Sequence, residues 1–276
     1  YRTARDLAAA GVQIAAVLDS RADAPDLAAG GVPVIKGARI IDVKGGKSVN
    51  DVVFVRGTGG HAEHLAADTV AMSGGWNPAV HLACHRGKKA VWNSDLAAFL
   101  PPENGSALVP AGSVAGVMGL AGALADGARK AQALAAELGF SCPSPELPRA
   151  SDEAYAVSPL WYVKDSASKA FLDYQNDVTA KDVPLAAREG YRDVELAKRY
   201  TTLGMATDQG KLSNINGIGI LAEATGRSIP EVGTTTYRPF YTPVALGALA
   251  GPFHGPHFQP VRKTPLHEWC AENDAI

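Results

Sequence analysis

Cysteine is scarce, with only Cys84, Cys142 and Cys270 among 276 residues. The three are too far apart for a ligand pair, and an odd count argues against a disulfide framework. They read as small buried hydrophobes in a reducing compartment, which points to the cytoplasm. No run approaches the ~20 apolar residues that a membrane-spanning helix needs. No signal-peptide pattern is present. Aromatic residues make up 7%, and the formal net charge is −2, with a sequence pI of about 6.4. Neither figure favours nucleic acid or an anionic membrane. Also missing are a Walker loop, a GxSxG elbow, a serine triad, an HExxH pair and a redox cysteine pair. No catalytic residue and no metal ligand set is therefore assigned.

What is present is a soluble, core-forming composition, 46% hydrophobic and 20% charged, with 29 glycines and 18 prolines. The length suggests about two domains. It begins at Tyr1 rather than Met and is read as an internal segment of a longer protein, with motifs outside the window.

The segment from 1 to 140 alternates helical and strand patterns. Arg2 to Ala10 has helical spacing and stops at Gly11. Val12 to Asp19 is nearly continuous and apolar, as in a strand buried on both faces of a parallel sheet. Further strands are expected at Val32–Ile35, Ala38–Lys44, Asp51–Arg56 and Leu65–Met72, with a hairpin turn at Gly45-Gly46. Leu108 to Ser113 reads as a strand entering a glycine turn, and Ala115 to Leu138 as a long helix. The pattern implies an α/β domain with a mainly parallel sheet. Residues 141–168 hold Pro143, Pro145, Pro148 and Pro159 and read as a surface linker. Residues 169–226 change to short polar helices: Thr179 caps 180–189, Asp193 caps 194–202, and Ser213 or Asn214 opens 215–225. Each ends at glycine, which describes a small helical domain. From 227 to 276 the chain is rich in Thr, Pro and Gly.

Four places have the residue types for chemistry. Asp19 at a strand end, with Arg21 beside it, has the form of a ribose-binding acid near a phosphate-binding Arg, although a solvated strand end looks the same. Ala111-Gly112-Ser113-Val114-Ala115-Gly116 joins a strand to a helix N-terminus, where free N–H groups and the helix dipole attract an anion. His81 and His85 have metal-binding i, i+4 spacing but, apart from Cys84, no companion ligands at motif spacing, so ordinary surface or core histidines are preferred. The stretch 198–211 combines Lys198, Arg199, Lys211, hydroxyls and two glycines, and suits a phosphate or a polar subunit contact.

Several stretches bear a resemblance. They are Phe171-Leu172-Asp173-Tyr174-Gln175-Asn176-Asp177-Val178-Thr179-Ala180-Lys181-Asp182, the block from Lys198-Arg199-Tyr200-Thr201-Thr202 to Asp208-Gln209-Gly210-Lys211, and Gly233-Thr234-Thr235-Thr236-Tyr237-Arg238-Pro239. With Ser73-Gly74-Gly75-Trp76-Asn77-Pro78 and Thr264-Pro265-Leu266-His267-Glu268-Trp269, they make the chain resemble the alpha subunits of heterotetrameric sarcosine oxidases.

The resemblance implies a pyridine-nucleotide-disulfide-reductase-like Rossmann domain, here in part, followed by the small helical domain. The end of the chain would be the start of an aminomethyltransferase-like folate domain. The family oxidises sarcosine to glycine, with formaldehyde or, given tetrahydrofolate, methylenetetrahydrofolate, and hydrogen peroxide. It implies beta, gamma and delta partner subunits, substrate and FAD on beta, and FMN at the alpha–beta interface. It further implies NAD on alpha, and tetrahydrofolate in the C-terminal domain beyond this window. Carried over by position, Gly112, Ser113, Val114 and Met118 would contact NAD; Ser113, where flavin-binding relatives have an acid, disfavours FAD. Arg199, Thr207 and Lys211 would contact FMN or the beta subunit. The helical domain resembles the bacterioferritin-associated-ferredoxin fold, but the cluster-cysteine positions correspond to Asp173, Gln175, Thr207 and Gly210, so no iron–sulfur cluster is expected. The alternatives are a subunit of a related amine, opine or proline dehydrogenase, from which the absent cysteines separate it, and a scaffold subunit without cofactors.

Overall fold

The structure is a computed structural model. It describes residues 1–24, 30–85, 87–103, 108–152, 154–166, 168–239, 242–257 and 261–275. Two compact units emerge, Tyr1–Pro239 and Phe240–Ile276. No helix among the described residues is long and apolar enough to cross a membrane.

The first unit is mixed α/β. Helix α1 (Arg2–Ala9) leads to β1 (Val17–Asp19), which pairs in parallel with β2 (Val34–Lys36). The expected strand from Val12 is thus shortened to its last three residues. Its partner β2 is equally short, and Val12 is 48% exposed. Strands β3 (Ala38–Gly45), β4 (Val49–Arg56) and β5 (Glu63–Ala66) form an antiparallel sheet. The expectation of a mainly parallel sheet therefore fails for the described strands, of which only β1 and β2 run parallel. Three residues separate β3 from β4, and so short a connection can only return antiparallel. Gly45-Gly46 makes the turn, as its sequence suggests. Strand β4 buries Val52, Val53, Phe54 and Val55 in succession, so both of its faces are covered.

Next come α2 (His81–Cys84), the hairpin of β6 (Val91–Asn93) and β7 (Ala98–Leu100), and a 3-10 turn at Gly112–Ala115. Helix α3 spans Leu120–Glu137. It was expected from Ala115, but the chain makes the 3-10 turn first and leaves it at Gly116 in a left-handed conformation. No strand forms at Leu108–Ser113.

Beyond α3, residues 139–149 are exposed coil, in keeping with their prolines. The chain then forms β8 (Phe171–Asp173), β9 (Val178–Thr179), α4 (Asp182–Arg188), α5 (Val194–Thr201), α6 (Asn214–Thr225) and α7 (Ile229–Val232). Asp193 caps α5 by accepting the Glu195 N–H at 3.0 Å. At α4 the expected cap is reversed, because Asp182 accepts from the Thr179 N–H at 2.7 Å and its hydroxyl at 2.8 Å. Helix α7 opens on a reciprocal Ser228–Glu231 capping box within a stretch that showed little periodicity.

Helix α6 is the centre of the main core, with Ile218 and Leu221 each 1% exposed. Around it lie Val183, Ala186, Val194, Ala197 and Val232, together with Val80, Cys84, Ala90 and Phe99. Trp92 and Trp161 pack against this core from outside. It therefore joins segments 80–99 and 172–232, on either side of the proline-rich stretch. The second unit contains α8 (Leu246–Ala250), a 3-10 turn at Gly255–His257 and α9 (His267–Glu272).

Candidate functional site

Gly112 starts the 3-10 turn with φ +63°. An L side chain is strained there, so the position favours glycine. Gly112 is buried, Ser113 is exposed, and Val114 and Met118 are half-buried. The Gly112 N–H does not point to solvent. It donates to Asp126 Oδ2 at 2.9 Å, from α3. Asp126 also holds Lys130 at 2.9 Å and Arg129 at 2.5 Å. Hydrogen bonds from Lys130, the Gly112 amide and Arg129 depress its carboxyl pKa to about 2. Lys130 Nζ in turn donates to the Pro110 carbonyl at 2.7 Å. An open groove of about 550 Å³ lies beside the turn, lined by Leu100, Pro101, Leu108, Pro110, Ala115 and Lys130 among others. Its volume lies in the range of small-molecule sites.

The N-terminus of α3 is engaged as well. Asp152 accepts the Ala121 N–H at 2.7 Å and the Gly122 N–H at 3.2 Å. This helix end does bind an anion, as a helix N-terminus should, and the anion is a carboxylate from the same chain.

At the end of β1, Asp19 is 8% exposed. Its Oδ1 accepts the Arg21 N–H at 2.9 Å and Arg21 Nε at 3.0 Å; its Oδ2 accepts Arg21 Nη2 at 2.7 Å and the Tyr1 hydroxyl at 2.9 Å. Those bonds, led by the one from the Arg21 side chain, lower its pKa to about 2. Arg21 Nη1 also donates to the Ala156 carbonyl at 2.7 Å. Asp19 thus serves an internal ion pair and leaves few acceptors for a ribose.

In the helical part, hydrogen bonds link three of the four positions that the resemblance matched to cluster cysteines with the loop after α5. Asp173 is buried, and its Oδ1 accepts the N–H groups of Gln175 at 2.9 Å and Asn176 at 3.1 Å. Its Oδ2 accepts the Gly204 N–H at 2.9 Å. The Thr207 hydroxyl donates to Gln175 Oε1 at 3.1 Å. Gly210 has φ +73°, and a Cβ there would overlap the Asn214 amide. Asn214, 4% exposed, donates to the Thr235 hydroxyl at 2.8 Å and to the Gln209 carbonyl at 3.2 Å. Gln209 and the main chain of Arg238 bond reciprocally at 3.0 and 3.2 Å. A polar network therefore ties the 202–213 loop to β8, to α6 and to the Thr234–Arg238 segment. Nothing in the sequence singled out Asn214 as its hub.

The three residues expected at the FMN or subunit contact face different partners. Arg199 pairs with Glu195 at 3.0 Å, Thr207 bonds Gln175, and the charge of Lys211 acts on His81. His81 is 5% exposed and lies against the Tyr237 ring, with centroids 4.1 Å apart. Burial, together with Lys211 and His85, lowers its pKa to about 4. It belongs to the interior. Among the described residues, no group of three His, Cys, Asp or Glu side chains forms a metal site.

Comparison with known proteins adds the following. Residues 167–252 match the model of the sarcosine oxidase A3 domain. The whole chain is 49% identical over 278 residues to sarcosine oxidase subunit alpha of Rhizobium meliloti (strain 1021), covering 28% of that protein. It is 38% identical over 288 residues to the same subunit of Corynebacterium sp. (strain P-1), covering 30% of it. The chain thus spans less than a third of these relatives. Among solved structures it resembles L-proline dehydrogenase from P. horikoshii, with a TM-score of 0.56 and 20% identity over 80% of this chain and 46% of that one. That likeness concerns the fold alone.

Proposed function

We propose that this chain, which belongs with the sarcosine oxidase alpha subunits by the similarity just described, is part of the alpha subunit of a complex that oxidatively demethylates sarcosine. The products would be glycine and hydrogen peroxide, with formaldehyde or methylenetetrahydrofolate carrying the one-carbon unit. The observation that carries this reading is the 49% identity over the full chain.

In this reading, residues 1–140 are part of a Rossmann domain of the disulfide-reductase type. Residues 141–168 are a linker, 169–226 the helical domain without a cluster, and 227–276 the approach to a folate domain. Beta, gamma and delta subunits are the partners, and the oxidation occurs on beta, which carries FAD. The described residues of this chain then bind and position; none acts as a catalytic acid or base.

NAD would lie at the Gly112 turn, against Ser113, Val114 and Met118, with the groove lined by Pro110 and Ala115 beside it. The groove's volume is in the range of a small-molecule site, and a phosphate would reach the end of α3 only by displacing Asp152. Gly112 contributes its conformation rather than its amide, which Asp126 holds. FMN, if held at the interface with the beta subunit, would supply a centre for oxygen reduction. Arg199 at the end of α5 and Thr207 and Lys211 in the loop that follows would meet it or the beta subunit, where cations and a hydroxyl suit a phosphate. Tetrahydrofolate belongs to the domain that follows.

The test is to co-express the full-length protein with its neighbouring subunits, purify the complex and identify its cofactors during a peroxide assay with sarcosine. Sarcosine-dependent peroxide together with NAD, FAD and covalently held FMN is the expected result. An assembled complex without NAD and without peroxide would overturn the reading.

A further inference from the structure

We propose that Asp126 is a positioning residue for the Gly112 turn, fixing the wall of the adjoining groove from within α3. The proposal deepens the dinucleotide reading above and rests on it.

The starting point is an inversion. Helix α3 has 18 residues, many of them alanine or leucine, yet the one that counts as buried among those described is Asp126, at 9% exposure. Burying a carboxylate is costly unless it is paired and hydrogen-bonded, so its position needs a reason. An i, i+4 ion pair with Lys130 does not supply one, because such pairs form as readily on an exposed helix face. The partner that requires burial is the Gly112 amide, which is itself buried. Lys130 completes the grip. Its ammonium bridges the Asp126 carboxylate and the Pro110 carbonyl. Two side chains one helical turn apart thus hold the backbone on both sides of Ala111.

The grip sets three things. It holds Gly112 in the left-handed conformation that starts the 3-10 turn. It places Pro110, Ala115 and Lys130, all groove-lining residues, relative to α3. And it removes the Gly112 N–H from the donors available to a ligand, leaving contact to Ser113, Val114 and Met118. Asp126 itself touches no ligand in this scheme; it acts through the turn.

The experiment uses the full-length protein purified with its partner subunits, as wild type and as Asp126→Ala, Asp126→Asn and Lys130→Met. Two quantities are read: amide hydrogen exchange over residues 108–118, and the dissociation constant for NAD by equilibrium dialysis. Asp126→Ala should speed exchange at Gly112 by at least about tenfold, since the amide loses its acceptor. NAD binding should weaken by at least about tenfold. Asp126→Asn retains one oxygen for the Gly112 amide and should keep NAD binding within roughly threefold, a rescue that general destabilisation would not produce. Lys130→Met frees the Pro110 carbonyl and removes the Asp126 ion pair but leaves the Gly112 bond in place, and should fall between the two. If Asp126→Ala does not assemble, the contrast of Asp126→Asn with Lys130→Met decides the matter in the same direction. Unchanged exchange, or altered exchange with unaltered NAD binding, would overturn the proposal. A wild-type complex that never binds NAD would sink the dinucleotide reading, and with it the cofactor half of this proposal. The exchange data would still report whether Asp126 holds the turn.

Discussion

Replacing Asp173 by alanine should destabilise the helical part of the protein by about 3–5 kcal/mol. The figure follows from the three N–H groups that its carboxylate holds. The Gly204 N–H is buried and would lose its acceptor with no water to replace it, which costs toward the upper end of ~1–3 kcal/mol. The Gln175 and Asn176 N–H groups are only partly buried and can recover water, so each falls near the lower end of that range, about 1 kcal/mol. Relief of the carboxylate's own desolvation offsets part of the sum. Asp173→Asn keeps one oxygen and should cost about half as much. Trp92 and Trp161 both pack against the core that this turn joins, so their fluorescence reports its unfolding in urea. If both variants unfold within about 1 kcal/mol of wild type, water replaces the carboxylate without loss, and the network carries no stability.

Three other outcomes follow from the structure. Gly210→Ala combines a left-handed backbone with overlap against the Asn214 amide, and should lower the unfolding free energy read in urea by roughly 2 kcal/mol or more; an unchanged urea midpoint would contradict that packing. His81 has a folded pKa of about 4 against ~6.5 unfolded, so between those values the unfolded chain binds the extra proton and stability falls as pH drops. The loss should reach roughly 2–3 kcal/mol by pH 4; in His81→Phe this acid slope should flatten, and an identical slope in the variant would locate the titration elsewhere. Asp152→Ala removes the acceptor at the start of α3 and should cost about 0.5–2 kcal/mol. Limited proteolysis should then cut faster within 141–160, and unaltered cleavage would show that Asp152 does not hold that segment.

Local signals in the sequence located the elements of the helical part well. Helices α5 and α6 lie within a residue or two of their expected bounds, because Asp193 and Gly226 are strong start and stop residues, respectively, whose effect is local. The β3–β4 hairpin was legible for the same reason, in Gly45-Gly46. Failures occurred where partners decide. Val12 to Val17 has strand composition throughout, but a strand is only as long as its neighbour, and β2 is three residues long. Sheet direction was misjudged because alternating helix and strand patterns suggest crossovers, whereas the three-residue link after β3 forbids one. Likewise, the proline-rich stretch marked a boundary in composition, yet Val80, Cys84, Ala90 and Phe99 reach across it into the core around α6.

The candidate site was legible in place but not in state, and the reason is electrostatic. Free helix N–H groups, a strand-end carboxylate and a glycine-turn amide are what a sequence offers to a ligand. They are also the groups that a fold must satisfy when it buries them. Here each is met from within: Gly112 by Asp126, Ala121 and Gly122 by Asp152, and Asp19 by Tyr1 and Arg21. The satisfying residues lie 14, 31, 30 and 18 positions away, and only the Arg21 pair is local. Apart from that pair, no motif window contains both members, so the sequence shows the half that resembles a binding site and hides the half that occupies it. A dinucleotide entering the groove would therefore meet a turn set by Asp126 and a helix end held by Asp152. These two contacts can be separated by experiment: loss of Asp126 should weaken NAD binding through the turn, whereas loss of Asp152 vacates the α3 terminus and should strengthen it if a phosphate docks there. Equal NAD affinity in Asp152→Ala and wild type would place the phosphates away from α3 and leave the groove wall as their contact.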